Sequence, residues 1–266
     1  MPALQLCAIR QVLGGSVYLI YFLFTKHRWP KGKQWATILM LSFLNFMISN
    51  GLATWGVEYI SSGLGAIIGA IFPLWIVIIS MFDGDKMPRK AIAGMVLGFG
   101  GVCIIFYDHL KDFLNADFRL GIFLSVIATI SWALGSVYTK KRAANFNPYF
   151  SLGLQMLISS IALFSVSYAT GNTVKITTIP IEAWEAILYL VIIGSVLTFI
   201  AYIYSLQRLP TSIASLYAYV NPIVAVLLGV YIFEEHLSIY IAVGGAVAIA
   251  GVYLVNDSFK RKNETP

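Results

Sequence analysis

The sequence predicts an all-α membrane protein, a bundle of nine transmembrane helices arranged as four plus five in two inverted repeats. Three observations predict it. The 266-residue chain is 59% hydrophobic and only 11% charged, whereas about a quarter of the residues in soluble domains are charged. Residues 61–82, SSGLGAIIGAIFPLWIVIISMF, hold no charge and are long enough to cross a bilayer core, which takes about 20 helical residues. Finally, a set of small residues and prolines in the first half recurs, in order, in the second.

The spans fall at about 3–25, 34–57, 61–82, 89–107, 119–139, 148–169, 183–206, 211–233 and 238–256. The first carries a single charge, Arg10. A basic loop bracketed by Trp29 and Trp35 precedes the second, and both indoles read as interfacial anchors. The third is the charge-free run, and the fourth carries Gly94, Gly98 and Gly101. Trp132 sits in the middle of the fifth, Tyr202 lies in the seventh, and the eighth contains Asn221-Pro222. The ninth carries Gly244, Ala248 and Gly251. Short loops make neighbouring helices antiparallel.

Charge sets the orientation. The loops at 26–33, 83–90 and 140–142, Arg208 and the tail with Lys260, Arg261 and Lys262 all fall on one side and hold 14 of the 18 Lys and Arg. The other side has Lys111, Arg119 and Lys175. By the positive-inside bias the C-terminal tail, 257–266, is cytoplasmic. The net charge of +6 is thus spent on topology. No stretch interleaves bases and aromatics as a nucleic-acid groove requires, so a nucleic-acid partner is not expected. Cys7 and Cys103 lie in apolar runs without metal or redox spacing and read as small buried hydrophobes.

The repeat explains two prolines. Gly65, Gly69 and Pro73 match Ala214, Ala218 and Pro222 at an offset of 149, and Gly94, Gly98 and Gly101 match Gly244, Ala248 and Gly251 at 150. Asp85 answers Glu235 in the same order. An odd number of spans separates the copies, so the repeats, 1–107 and 119–256, have inverted topology. Secondary transporters use that architecture to alternate access around a midplane site. Pro73 and Pro222 are expected to kink their helices, loosening backbone that faces a cavity. Arg10 after Pro2 aligns with Gln155 after Pro148 as the second helix of each five-helix unit. On this reading the first helix of a ten-helix fold lies before Met1.

PALQLCAIRQVLGG and YSLQRLPTSIASLYAYVNPIVAVLLGVYIFEEHLS, within paired halves of this size, resemble the EamA-type permeases of the drug/metabolite transporter superfamily. The likeness covers residues 1–256 and departs from the family at the missing first helix. It implies a transporter of the bacterial inner membrane with a cavity between its halves. It also implies export or exchange of small metabolites, often amino acids.

A cavity for a small amphipathic solute needs aromatic walls and a few hydrogen-bonding groups. Tyr217 and Asn221 share one helical face; Asn45, Ser49, Asn50 and Trp55 cluster along the second span; Trp132 and Tyr202 complete the set. Each could instead join helices by hydrogen bonds. Arg10 is a charge within a span, placed either to meet a substrate carboxylate or to hold carbonyls and side chains between helices, the latter being favoured. No Asp or Glu lies near the middle of a span, which favours exchange or uniport over proton coupling. There is no Gly-Lys-Ser phosphate loop. An embedded enzyme would cluster its His and carboxylates, yet His27, His109 and His236 are scattered. No catalytic residue, cofactor or metal is therefore expected. A nucleotide-sugar cavity would need several intramembrane cations, and only Arg10 qualifies. A membrane subunit that depends on a partner or is a truncated product is the alternative function. A homodimer is left open.

Overall fold

The computed structural model describes residues 1–60, 62–82, 84, 87–105, 107, 116–142, 146–224 and 239–264. All of its regular structure is helical. In chain order the helices are α1 (Ala3–Phe24), α2 (Lys33–Gly56), α3 (Ser62–Gly69), α4 (Phe72–Phe82), α5 (Arg89–Ile105), α6 (Ala116–Arg142), α7 (Pro148–Ala169), α8 (Ile181–Arg208), α9 (Thr211–Ala214), α10 (217–224) and α11 (Ile239–Glu264). Five of them are long and apolar enough to span a bilayer: α1, α2, α6, α7 and α8. The Asp85–Glu235 correspondence and the C-terminal part of the eighth predicted span lie outside the described residues.

Two features were not anticipated. The third predicted span is two helices, α3 and α4, separated at Ala70 and Ile71. Pro73 is the second residue of α4, where its missing N–H is one that a first turn leaves unbonded anyway. The ladder is interrupted ahead of Pro73 because the proline has no N–H to bond the Gly69 carbonyl and its ring crowds that carbonyl. In the second repeat the interruption lies at Ser215 and Leu216, ahead of α10, and Pro222 sits within α10. There, bonds from Ala218 N to Ser215 O and from Tyr219 N to Leu216 O tighten the turn. The two prolines thus accompany helix breaks placed differently along their repeats.

The other feature is a π-helical stretch inside each of α2 and α8, at Ser42–Asn50 and Leu190–Leu197. They begin 148 residues apart, close to the sequence offset. A π segment inserts residues into the i→i−4 ladder and is commonly found at functional sites.

The chain forms two compact units, one of Met1–Trp55 and Leu134–Leu209, the other of Gly56–Ala133 and Pro210–Pro266. In the first, α1 and α7 pack through glycines. A Cβ on Gly15 would lie 2.9 Å from the Gly153 carbonyl oxygen, and one on Gly153 would lie 2.5 Å from the Tyr18 Cβ. In the second, α5 and α11 pack by the two small-residue triplets of the repeat. A Cβ on Gly251 would fall 2.4 Å from Gly98 N and 2.6 Å from Gly94 O, and one on Gly101 2.4 Å from Ala248 N. Lipid tails are as apolar as Leu, so burial gives little drive to helix pairing in a bilayer; close backbone approach and dispersion supply it. Tyr219 is wholly buried in the same cluster, fills the notch at Gly98 and donates its hydroxyl to Met95 O at 2.8 Å.

Candidate functional sites

In the first unit, α1 supplies donors to both π segments. Gln11 Nε2 donates to Phe46 O at 3.2 Å in α2, and Tyr18 Oη donates to Val196 O at 2.8 Å in α8. Phe46 O also accepts from the Gly51 backbone N–H, so Gln11 is a second donor to that carbonyl, and both side chains tie α1 to the π segments. Around the α2 segment lies a polar network. Arg10 Nη2 donates to Asn50 Oδ1 at 2.8 Å, and Asn50 Nδ2 donates back to Asn45 O at 2.8 Å. Asn45 Nδ2 reaches Gln155 Oε1 at 3.4 Å, Ser42 Oγ donates to Gln155 O at 2.8 Å, and Ser159 Oγ donates to Gln11 Oε1.

Arg10 and Gln155, which the sequence aligns as equivalent positions of its two halves, are joined in one network through Asn50 and Asn45. Arg10 Nε and Asn45 Oδ1 are buried with no hydrogen-bond partner among the described residues. Such groups hold unused bonding capacity of the kind an incoming polar ligand can satisfy. Ser49 is buried within the same π segment. Trp55 packs on the cluster of Leu4, Cys7, Ala8 and Leu163. Tyr202 is buried and donates to Ser136 Oγ at 2.7 Å.

In the second unit the predicted residues gather around the α3–α4 break. Trp132 Nε1 donates to Tyr217 Oη at 3.0 Å. Phe72 lies with its ring centroid 5.9 Å from that of Tyr217 and 6.4 Å from that of Trp132. Tyr217 and Asn221 are both exposed along α10, as their shared helical face requires. The result is an aromatic group with two polar handles, the indole N–H and the phenol. Phe72 was missed because nothing distinguishes it from core in a run of apolar residues.

The predicted polar set therefore divides. Asn45, Ser49, Asn50, Trp55, Tyr202 and Arg10 belong to the first unit, and Trp132, Tyr217 and Asn221 to the second. Gln11, Gln155 and Tyr18 escaped the sequence reading as ligand-region residues; Gln11, one residue after Arg10 in an apolar span, was the available signal.

Helices long enough to span a bilayer, polar residues turned inward and π-interrupted spans define a multi-spanning membrane protein of the carrier class. The sequence profile of the EamA-like transporter family matches residues 1–107 and 119–257. The chain belongs to the EamA-like transporter family and is a secondary transporter. It is 29% identical over 244 residues to the uncharacterized inner membrane transporter YedA of Escherichia coli (strain K12), covering 89% of this chain and 76% of that one. It is 24% identical to the uncharacterized transporter YvbV of Bacillus subtilis (strain 168), over 97% of this chain and 84% of that one. A solved crystal structure shares the fold at a TM-score of 0.81 and 18% identity, covering 98% of this chain and 89% of the other.

Proposed function

We propose that the chain carries small metabolites such as amino acids across the inner membrane by alternating access, as an exporter or exchanger, without transforming them. Its helices are read as two inverted repeats of four and five, residues 1–107 and 119–256, with the tail from 257 in the cytoplasm. The observation that carries the reading is the pair of π segments beginning 148 residues apart, one in each repeat. Helices interrupted at equivalent points of two repeats let each half re-aim its inner and outer parts around a midplane site. The groups offered to substrate are Asn45, Ser49, Asn50, Trp55 and Tyr202 of the first unit and Trp132, Tyr217 and Asn221 of the second, with Arg10 holding Asn50. Both relatives' names support a transport role, and that of YedA supports the inner-membrane location.

The test is counterflow in proteoliposomes holding the purified chain and loaded with labelled amino acids. Saturable efflux that one external amino acid accelerates, and that Tyr217→Ala with Asn221→Ala weakens at least tenfold, is the expected result. An inserted chain that gives no saturable flux of any amino acid or comparable metabolite refutes the proposal.

A further inference from the structure

Two cavities in the first unit open beside each other at the end where α1 turns into α2. One, of about 450 Å³, is lined mostly by apolar and aromatic side chains, among them Val17, Tyr21, Phe22, Val196 and Ile200. The other, of about 540 Å³, is lined by Arg28, Lys31 and Lys33 with Trp29 and Gln34. They share His27 and Asn147. The apolar cavity follows α1 from Val17 to Phe22, about 8 Å at the helical rise.

The loop between α1 and α2 is held in place. Lys26 takes a positive φ of 52°, and His27 N bonds Phe22 O at 3.2 Å to close the end of α1. The Phe22 ring stacks on Phe150 at 4.9 Å, and Trp29 meets Phe150 edge-on at 5.5 Å. His27 Nδ1 lies 3.0 Å from Thr25 Oγ1. Asn147 caps α7 by accepting from Tyr149 N and Phe150 N, so the positive end of that helix also faces the basic cavity.

Among the described residues no acid balances these charges locally. Residues 1–57 contain no Asp or Glu. Among the described residues, the one ion pair is Lys90 with Asp257 in the other unit. Three cations with no carboxylate partner among the described residues, at the end of a helix long enough to span a bilayer and beside an apolar slot along that helix, match one kind of molecule. It carries an anionic phosphodiester and an acyl chain.

We infer that this double cavity is a binding site for an anionic phospholipid, the headgroup phosphate among Arg28, Lys31 and Lys33 and an acyl chain along Val17, Phe22 and Ile200. The positively charged side of a membrane protein faces the leaflet whose anionic headgroups attract such clusters. The site shares no residue with the polar network of Arg10, although Tyr18 and Val196 of its apolar wall also meet at the α8 π segment, and its test reads lipid binding without transport, so the two readings fail separately.

The test is native mass spectrometry of the full chain in detergent, titrated with dioleoyl phosphatidylglycerol, dioleoyl phosphatidylcholine or inorganic phosphate. Phosphatidylglycerol is expected to bind at least tenfold more tightly than phosphatidylcholine, and inorganic phosphate should not displace it. Each basic residue near an anionic headgroup contributes about fivefold, so the triple variant R28Q/K31Q/K33Q should bind about a hundredfold more weakly. Val17→Trp, an exposed position on the apolar cavity, should weaken the lipid without altering inorganic phosphate binding. Lys31→Gln alone, expected to lose about fivefold, serves if the triple variant does not fold. Equal binding of the two lipids, no loss in the basic variants, or no effect of Val17→Trp overturns the assignment. Displacement by equimolar inorganic phosphate also overturns it, by making this a free-phosphate site.

Discussion

Gly251→Ala adds one methyl group to the seam between α5 and α11. Its carbon would lie 2.4 Å from Gly98 N, 2.6 Å from Gly94 O and 2.6 Å from Gly98 Cα. Ordinary contact begins at 3.4 Å, so the shortfall is about 1 Å, and all three atoms are backbone. No side chain can swing away; the helices must separate. A gap of 0.5–1 Å forfeits about a quarter to a half of each dispersion contact across it. Along this seam those contacts are the main attraction, because a bilayer gives little hydrophobic drive to helix pairing. Overpacking of this kind costs about 1–3 kcal/mol, and the rigid backbone obstacle places Gly251→Ala at the upper end, about 3 kcal/mol. Gly245 is the internal control. It lies on the same helix with nothing within 4 Å of its added Cβ, so Gly245→Ala should be neutral or stabilise by up to about 1 kcal/mol through helix propensity. The assay is reversible unfolding of both variants in bicelles, followed by tryptophan fluorescence. If Gly251→Ala and Gly245→Ala unfold together, the helices are not in backbone contact at Gly251 and the reasoning fails.

Gln155→Leu removes the acceptor of Asn45 Nδ2 and the donor to Ser151 Oγ; with Asn45 buried it should cost about 1–2 kcal/mol in the same unfolding assay. Trp132→Phe deletes the bond to Tyr217 Oη while keeping an aromatic ring, and should raise KM severalfold in the counterflow assay with little change in thermal stability. Lys26→Gly relieves a left-handed φ of 52° at the end of α1 and should stabilise by about 1 kcal/mol, seen as a higher midpoint in a thermal scan.

Much of the architecture was legible because hydropathy and chain length act locally. A run of about 20 apolar residues crosses a bilayer as a helix whatever its neighbours do, since no other open structure satisfies its backbone there. Hence α1, α2, α6, α7 and α8 fall where the runs fall. The small-residue triplets were legible for a related reason, and the structure sets Gly94, Gly98 and Gly101 against Gly244, Ala248 and Gly251 in a single seam. Proline marked where the third predicted span would be interrupted but not how. The break at Ala70 and Ile71 lies just ahead of Pro73, whereas Pro222 lies inside a helix and its break comes earlier at Ser215.

The candidate site was legible in its residue types and not in its groupings. Asn45 and Asn50 stood out as polar residues in an apolar span, yet their partners, Arg10 and Gln155, lie on other helices and meet them only after packing. Tyr217 and Trp132 are separated by 85 residues and bond directly. The π segments left no sequence mark at all. Gln11 and Tyr18, on a different helix, donate to carbonyls within them, a contact that only packing creates. Local composition therefore determined that this chain spans a membrane, how its loops distribute charge and which small residues recur in its two halves. Tertiary structure decided which buried donors meet which acceptors, because a hydrogen bond between helices depends on register and distance, and single-chain periodicity carries neither.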